Sequence, residues 1–229
     1  MEVSQQVATV SRVKAAAPDP TPRWSTTSPY EALRASQIRL LQIHRSDDKT
    51  GGQVSCTLAS HDLSTAPSFV ALSYTWGLPH RDIHKLRKNP SSFKHGISCN
   101  GNAAHIGENL YDFLAHCAQN RDHDPNRLYW ADALSIDQGN IQERSEQVKL
   151  MSQIYQAAVG VLVWLGPEDD YSKPAIDLMN GVLQLDGVGR NRLNPTDVSD
   201  DHPNFLLNAR SWQALTYFFE REWFNRAWM

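Results

Sequence analysis

The stretch from Leu128 to Gly166 constrains the fold of this chain more than any other part of its sequence. It begins with a short apolar run, Leu128 to Leu134, and ends with a β-branched run, Val159 to Leu165, bounded by Gly166-Pro167. Both runs are short and apolar, so we predict two buried strands. Because a helical pattern joins them, the strands should be parallel with a right-handed crossover. The expected fold class is α/β, with a mostly parallel central sheet and flanking helices.

The helix between these strands is predicted from spacing and from its first residues. Asn140 is a preferred N-cap residue. Glu143, three positions later, predicts a capping box in which the carboxylate reaches back to the cap. The apolar residues recur every three or four positions, as expected for one buried helix face: Val148, Met151, Ile154, Tyr155 and Ala158.

Composition excludes several classes of protein. The chain has 229 residues, a net charge of −3 and a pI near 6.3, with no basic block for nucleic acid. Its three cysteines, Cys56, Cys99 and Cys117, form no CxxC motif, and a reducing compartment fits them. No apolar run is long enough for a membrane span or a signal-peptide core. We therefore predict a cytoplasmic protein that binds no nucleic acid and has no membrane span.

The two ends of the chain predict how the domain is bounded. Residues 1–28 are rich in Ala, Pro, Ser and Thr without periodicity, and they predict a disordered leader. One domain is expected over 29–229. From Phe205 onward, aromatic residues crowd into a predicted helical tail. The sequence stops at Met229 without a C-cap or a polar ending, which predicts a domain truncated at its C-terminal end.

Two hairpins and a buried strand are predicted before the central unit. Ile38–Ile43 and Val54–Leu58 should form an antiparallel hairpin at the edge of the sheet. Asn100-Gly101 favours a type I′ turn, so Ile97–Ile106 should form a second hairpin. Phe69–Tyr74 is the second predicted anchor of the sheet. A stripe at helical spacing then predicts one crossover helix, from Ile106, Leu110, Phe113, Leu114 and Cys117.

A candidate site follows from the expected sheet. Ligands of parallel sheets sit beyond the carboxyl ends of strands, which here are the loops Ser73–Gly77 and Ser135–Asn140. Asp137 is more typical of a helix start than of catalysis. Asp132 lies in a predicted buried strand, so it requires either a hydrogen-bonding partner or a chemical role, with Arg144 as a nearby cation. Trp76 follows a strand and could stack on a base.

Motifs with a known chemistry are absent. His80 and His84 have the i, i+4 spacing of metal ligands, but no third ligand accompanies them, and we predict no metal site. The sequence contains no Walker phosphate loop, no GxSxG nucleophile elbow and no complete dinucleotide fingerprint. No residue is therefore assigned as catalytic, and no cofactor is predicted.

Ordered motifs over about residues 30–229 resemble the fungal heterokaryon incompatibility (HET) domain family. The segment from Ala71 to Gly77 is similar to the family's ALSYxWG block, and Leu128 to Gln138 is similar to LWIDAxCINQ. The segment from Arg221 to Trp228 is similar to RxWFxRxW. This chain has Ser135 where the family usually has cysteine, and Asp137 where it usually has asparagine.

The resemblance implies a fold distantly like TIR or flavodoxin domains and a role in fungal nonself recognition and cell death. Some TIR domains cleave NAD with a glutamate on a later helix. By that analogy, a helix beginning near Arg221 would carry its glutamate in a Gln-Glu pair beyond Met229, and NAD would be a substrate. The candidate ligand-binding residues are Ser73, Tyr74, Trp76, Gly77, Asp132, Asp137, Gln138 and Arg144.

Three hypotheses therefore remain open. The chain is a signalling module that assembles with itself or with another signalling protein, a TIR-like NAD glycohydrolase in a longer version, or a degenerate inactive fragment. In the last two cases this chain alone should be inactive towards NAD.

Overall fold

The computed structural model describes residues 21–25, 29–46, 52–79, 95–185, 198–200 and 202–226. Within them, eight strands form one sheet: β1 (Arg23–Trp24), β2 (Gln37–Ile43), β3 (Ser55–Asp62), β4 (Phe69–Tyr74), β5 (His95–Cys99), β6 (Asn102–Ile106), β7 (Leu128–Trp130) and β8 (Gly160–Trp164). The helices are α1 (Glu108–Gln119), α2 (Asp132–Ser135), α3 (Ile141–Ala157), α4 (Ser172–Leu183) and α5 (Ala209–Phe219). Three-residue or four-residue 3-10 turns cover Leu63–Thr65, Phe205–Leu207 and Glu222–Asn225. None of the helices found in the described ranges is long and apolar enough to cross a membrane.

The strand order is β1-β6-β5-β3-β2-β7-β4-β8. Neighbours are antiparallel at β1/β6, β6/β5, β3/β2 and β2/β7, and parallel at β5/β3, β7/β4 and β4/β8. The fold is mixed α/β as predicted, but the prediction of a mostly parallel sheet was wrong, because four of the seven strand pairs within the described residues are antiparallel. The two-residue turn between β5 and β6 can join only antiparallel strands, and β2 pairs antiparallel with both of its neighbours. The three consecutive parallel strands β7, β4 and β8 lie at one end of the strand order.

Both predicted hairpins form. Strands β5 and β6 pair antiparallel around Asn100 and Gly101, whose φ angles of 50° and 76° suit the predicted type I′ turn. Strands β2 and β3 also pair antiparallel, but they lie in the interior of the sheet because β7 and β5 flank them. The expected edge position was therefore wrong. Strand β1 pairs with β6 and falls within the segment predicted as a leader, of which residues 1–20 and 26–28 lie outside the described ranges.

The central unit confirms the helix and corrects the strands. Strand β7 ends at Trp130, and the chain turns into α2, so the strand predicted to reach Leu134 was too long. Helix α3 starts after Asn140, whose side chain accepts hydrogen bonds from the next turn as predicted. Strands β7 and β8 are both parallel to β4, which lies between them. Strand β8 is the edge of the sheet and is partly exposed, so its predicted burial was wrong.

The core lies on both faces of the sheet. Helix α1 buries the predicted residues Leu110, Phe113, Leu114 and Cys117. On the α3 side, a second cluster contains Ile38, Leu40, Phe69, Trp130, Ile136 and Ile154. Met151, Tyr155 and Ala158 pack against this cluster, whereas Val148 is 56% exposed, contrary to its predicted place in the buried stripe. A smaller cluster, centred on Ala175, Ala214 and Phe218, joins α4 to α5.

The C-terminal region is only partly the predicted helical tail. Helix α5 ends at Phe219, and Arg221 adopts an extended backbone conformation with φ −59° and ψ 137°. A short 3-10 turn follows over Glu222–Asn225, and Arg226 is again extended. The prediction of a helix beginning near Arg221 was therefore wrong over the described residues. We call Arg221–Arg226 the C-terminal segment.

Candidate functional site

Two strand ends bring four of the predicted site residues together. Strand β4 ends with Ser73 and Tyr74, and β7 ends just before Asp132. Because β4 and β7 are parallel, their carboxyl ends lie at the same edge of the sheet. The Trp76 indole N–H donates to Asp132 Oδ2 at 2.8 Å, which closes the site from the loop after β4. We call this cluster the strand-end site.

Asp132 has structural partners on both carboxylate oxygens. Its Oδ1 atom accepts the Ala133 backbone N–H at 2.8 Å, since the side chain lies at the start of α2. Burial raises the pKa of the Asp132 carboxyl, and the hydrogen bonds from Trp76 and Ala133 partly oppose this rise. Arg226 is the cation that acts on Asp132, in place of the predicted Arg144, which is exposed on α3.

Two tyrosines line the same region. Tyr74 is buried, and desolvation followed by the nearby Asp132 carboxylate raises the pKa of its hydroxyl. Tyr155, on α3, donates to the Leu72 carbonyl oxygen at 3.4 Å. The pKa of Tyr155 is also raised, by desolvation first and by Asp132 second. Both phenols therefore stay protonated near neutral pH and can act only as hydrogen-bonding groups or proton donors.

The free energy of unfolding should depend on pH through the titration of Asp132. The folded-state pKa is above the unfolded value, so the contribution of this carboxyl is fully present below the unfolded pKa and is lost as pH rises through the folded pKa. Asp132→Asn removes this titration. We expect the stability of the wild type relative to the variant to fall as pH rises from about 4 upward, measured by urea unfolding at a series of pH values. Asp170→Asn, at an exposed position, controls for the loss of one surface charge; a flat difference between wild type and Asp132→Asn would contradict the prediction.

The C-terminal segment covers the strand-end site at the carboxyl end of β4. The Trp223 indole N–H donates to Ser73 Oγ at 3.0 Å. Arg226 donates to the Tyr74 carbonyl oxygen, and the Glu222 backbone N–H donates to the Pro79 carbonyl oxygen at 2.9 Å. The protein's own side chains therefore occupy the edge at which a ligand of a parallel sheet would bind.

Trp223, Arg226 and Tyr155 were missed as site residues by the sequence prediction. The aromatic residues were attributed to core packing, which is correct for most of them but ignores the indole N–H. The available indication was the spacing in the block from Arg221 to Trp228, where tryptophan and arginine donors alternate with other residues. Polar donors that recur in an apolar segment require acceptors elsewhere in the fold.

The remaining predicted residues have other positions. Gln138 donates to the Asp132 carbonyl oxygen at 2.9 Å, so it supports the site through the backbone. Asp137 Oδ1 accepts the Gly139 N–H at 3.0 Å in the turn before α3. Gly77 is exposed, and a Cβ placed on it would meet nothing within 4 Å. Arg144 is exposed on α3.

A buried ion pair fixes the second predicted loop, Ser135–Asn140. The Glu143 carboxylate accepts from Arg39 at 2.6 and 3.0 Å, and from the Asp137 backbone N–H at 2.7 Å. The predicted capping box was therefore wrong, because Glu143 turns towards Arg39 of β2 instead of the cap. Arg39 also donates to the Ser135 carbonyl oxygen at 3.2 Å. This pair holds the loop against the sheet.

Comparisons with known proteins place this chain in a family. The family model described as "Heterokaryon incompatibility protein (HET)" matches residues 69–229, which include the strand-end site and the C-terminal segment. A similar curated protein is "Heterokaryon incompatibility protein 6, OR allele" of Neurospora crassa, 31% identical over 223 residues. The match covers 85% of this chain but 31% of that relative, so the chain spans about a third of its length. No solved structure matches. The chain belongs to the heterokaryon incompatibility (HET) family.

Proposed function

We propose that this chain is the HET module of a fungal nonself-recognition protein and passes on a cell-death signal in the cytoplasm. It does so by assembling with itself or with another signalling protein. Family membership supports this function, since the relative is named as a heterokaryon incompatibility protein. The observation that carries it is the closed strand-end site, where Trp223 and Arg226 bond to β4. A protein whose ligand edge is filled by its own side chains is better suited to contacts through its surface.

Expression in fungal cells tests this proposal. We expect wild-type chain 1–229 to reduce viability, measured by vital-dye uptake at matched protein abundance. Arg226→Met removes the donor to Tyr74 and should weaken the response, because the C-terminal segment then loses one of its anchors on β4. Arg121→Met, at an exposed position after α1, serves as the matched control and should behave as wild type. Unchanged viability with the wild type at high abundance would contradict the proposal.

A second candidate function is nucleotide hydrolysis at the strand-end site. The observation that favours it is the partly buried Asp132 carboxyl, with a raised pKa, against the Trp76 ring at the carboxyl ends of parallel strands. In this hypothesis NAD is a substrate, Trp76 stacks on its base, and Asp132 helps to order the pocket.

The NAD experiment compares chain 1–229 with a version extended through the Gln-Glu pair that the family resemblance implies, and with the Glu→Ala variant of that version. Turnover by the extended wild type alone would support the hydrolase and make the present chain an inactive part of it. An extended version that leaves NAD intact would remove this candidate.

A further inference from the structure

Strand β8 is the last strand of the sheet in the described ranges, and only one of its long sides is paired there. It pairs with β4 on one side, and no strand in the described part of the chain pairs with its other side. The stretch Val159–Leu165 contains neither a charged residue nor a proline. Soluble proteins commonly use such residues to prevent an edge strand from pairing with another chain. This edge lacks both of these protections.

The valines of this strand place apolar surface beside the open edge. Val159 immediately precedes β8, and Val161 and Val163 lie two residues apart within it, so the last two side chains share one face of the sheet. The three valines are 70%, 50% and 39% exposed, respectively. Polar side chains are more usual at such exposed positions, so these valines form an apolar surface. A strand from another chain can pair with the open edge and cover the exposed valines beside it.

The geometry points to a second copy of β8 as the occupant of this edge, paired antiparallel about a two-fold axis at Leu162. In that register Val161 lies opposite Val163 of the second copy, and the relation is repeated by symmetry. Directly opposite residues share a face in an antiparallel pair, so exposed valines pack against exposed valines. The proposal rests on the proposed function, since it names the surface through which the chain assembles with itself.

The same register places Gly160 opposite Trp164 of the second copy. A Cβ placed on Gly160 meets nothing within 4 Å, so the space beside this glycine is open. Trp164 is half-buried, with its ring 5.6 Å from the rings of Phe113 and His116, so part of its surface is available for a cross-strand contact. An aromatic ring that covers a glycine on the neighbouring strand stabilises strand pairing. The strand is therefore complementary to itself in both size and apolar character.

The absence of charge along this edge also favours a second copy of β8 as its partner. The whole chain carries a net charge of −3, so two copies repel each other weakly at long range. The pairing described here brings together only the uncharged stretch Val159–Leu165, and no like charges meet within it. A strongly charged partner strand would gain no ion pair from this edge. A second copy can approach it without an electrostatic cost at the contact.

Sedimentation equilibrium of the full chain 1–229 tests the interface. We expect the wild type to dimerise reversibly, and Val161→Lys with Val163→Lys to weaken dimerisation by at least about tenfold, because each lysine then lies opposite another. Both positions are exposed, so the variant should keep the wild-type circular dichroism spectrum and unfolding midpoint. Val148→Lys, at an exposed valine on α3, is the matched control and should dimerise as wild type.

Two results would overturn the interface: a wild type that stays monomeric at about 100 μM, or a dimer that the paired lysines leave intact. The proposed function fails separately. A β8-dependent dimer whose expression leaves fungal viability unchanged would support the interface and count against the death signal. A monomeric wild type that still kills cells would support the signal and overturn the interface.

Discussion

Replacing Arg39 by methionine should lower the free energy of unfolding by about 3–5 kcal/mol, because it leaves the buried Glu143 carboxylate without its cation. Arg39 is 2% exposed and Glu143 is 7% exposed, so water cannot replace the lost partner without opening the structure. The substitution also removes the donor to the Ser135 carbonyl oxygen at 3.2 Å. Urea unfolding followed by circular dichroism measures the change.

Two variants separate the effect of charge from that of packing. Arg34→Met removes an exposed arginine near the same strand and should change stability by no more than about 0.5 kcal/mol. Arg39→Met combined with Glu143→Leu leaves neither charge buried, so it should regain much of the lost stability. A single Arg39→Met variant within about 1 kcal/mol of the wild type would show that the pair is not needed.

Replacing Arg221 by methionine is the second large effect, with an expected loss of about 2–4 kcal/mol. Arg221 is 2% exposed and joins three parts of the fold through its guanidinium group. It donates to the Leu165 carbonyl oxygen at 2.9 Å and to Ser172 Oγ at 2.7 Å, and it pairs with Asp169 Oδ2 at 3.1 Å. Its removal should release α4 and the C-terminal segment from the end of β8.

Hydrogen exchange with mass spectrometry measures where this release occurs. Protection should fall across residues 209–226 while β2 keeps its protection, since local opening precedes global unfolding. Arg221→Lys should also destabilise, because an ammonium group cannot reproduce the planar fork of the guanidinium. Lys173→Met breaks an exposed ion pair with Asp177 and should change nothing. A loss of protection spread evenly over the sheet would contradict the local role of Arg221.

Sequence patterns correctly predicted the features that depend on interactions between neighbouring residues, such as the cap of α3 and the turn between β5 and β6. Asn140 caps α3 because an amide side chain beside free backbone N–H groups needs no distant partner. Asn100 and Gly101 form their turn because both tolerate positive φ. The ends of β4 and β7 meet because parallel strands end at one edge, which brought Trp76 and Asp132 together as expected.

Contacts between distant residues decided what the sequence could not predict. Glu143 follows the capping-box spacing, but a cation 104 residues earlier in the chain draws its carboxylate away from the cap. Whether neighbouring strands are parallel or antiparallel depends on which strands lie beside β2 and β3. No local pattern specifies that β3 and β5 pair in parallel and so join the two hairpins. Trp223 and Arg226 complete the site from the far end of the described chain.

The bonds from the C-terminal segment to β4 delay the completion of folding until late in synthesis. Trp223 bonds to a residue 150 positions earlier, and Arg226 to one 152 positions earlier. Strand β4 therefore leaves the ribosome long before the groups that close its carboxyl end. Such distant closures are slow and leave apolar surface open meanwhile. A nascent chain stays unfinished at this edge until residue 226 has emerged, and chaperones that bind exposed apolar segments have that interval in which to act.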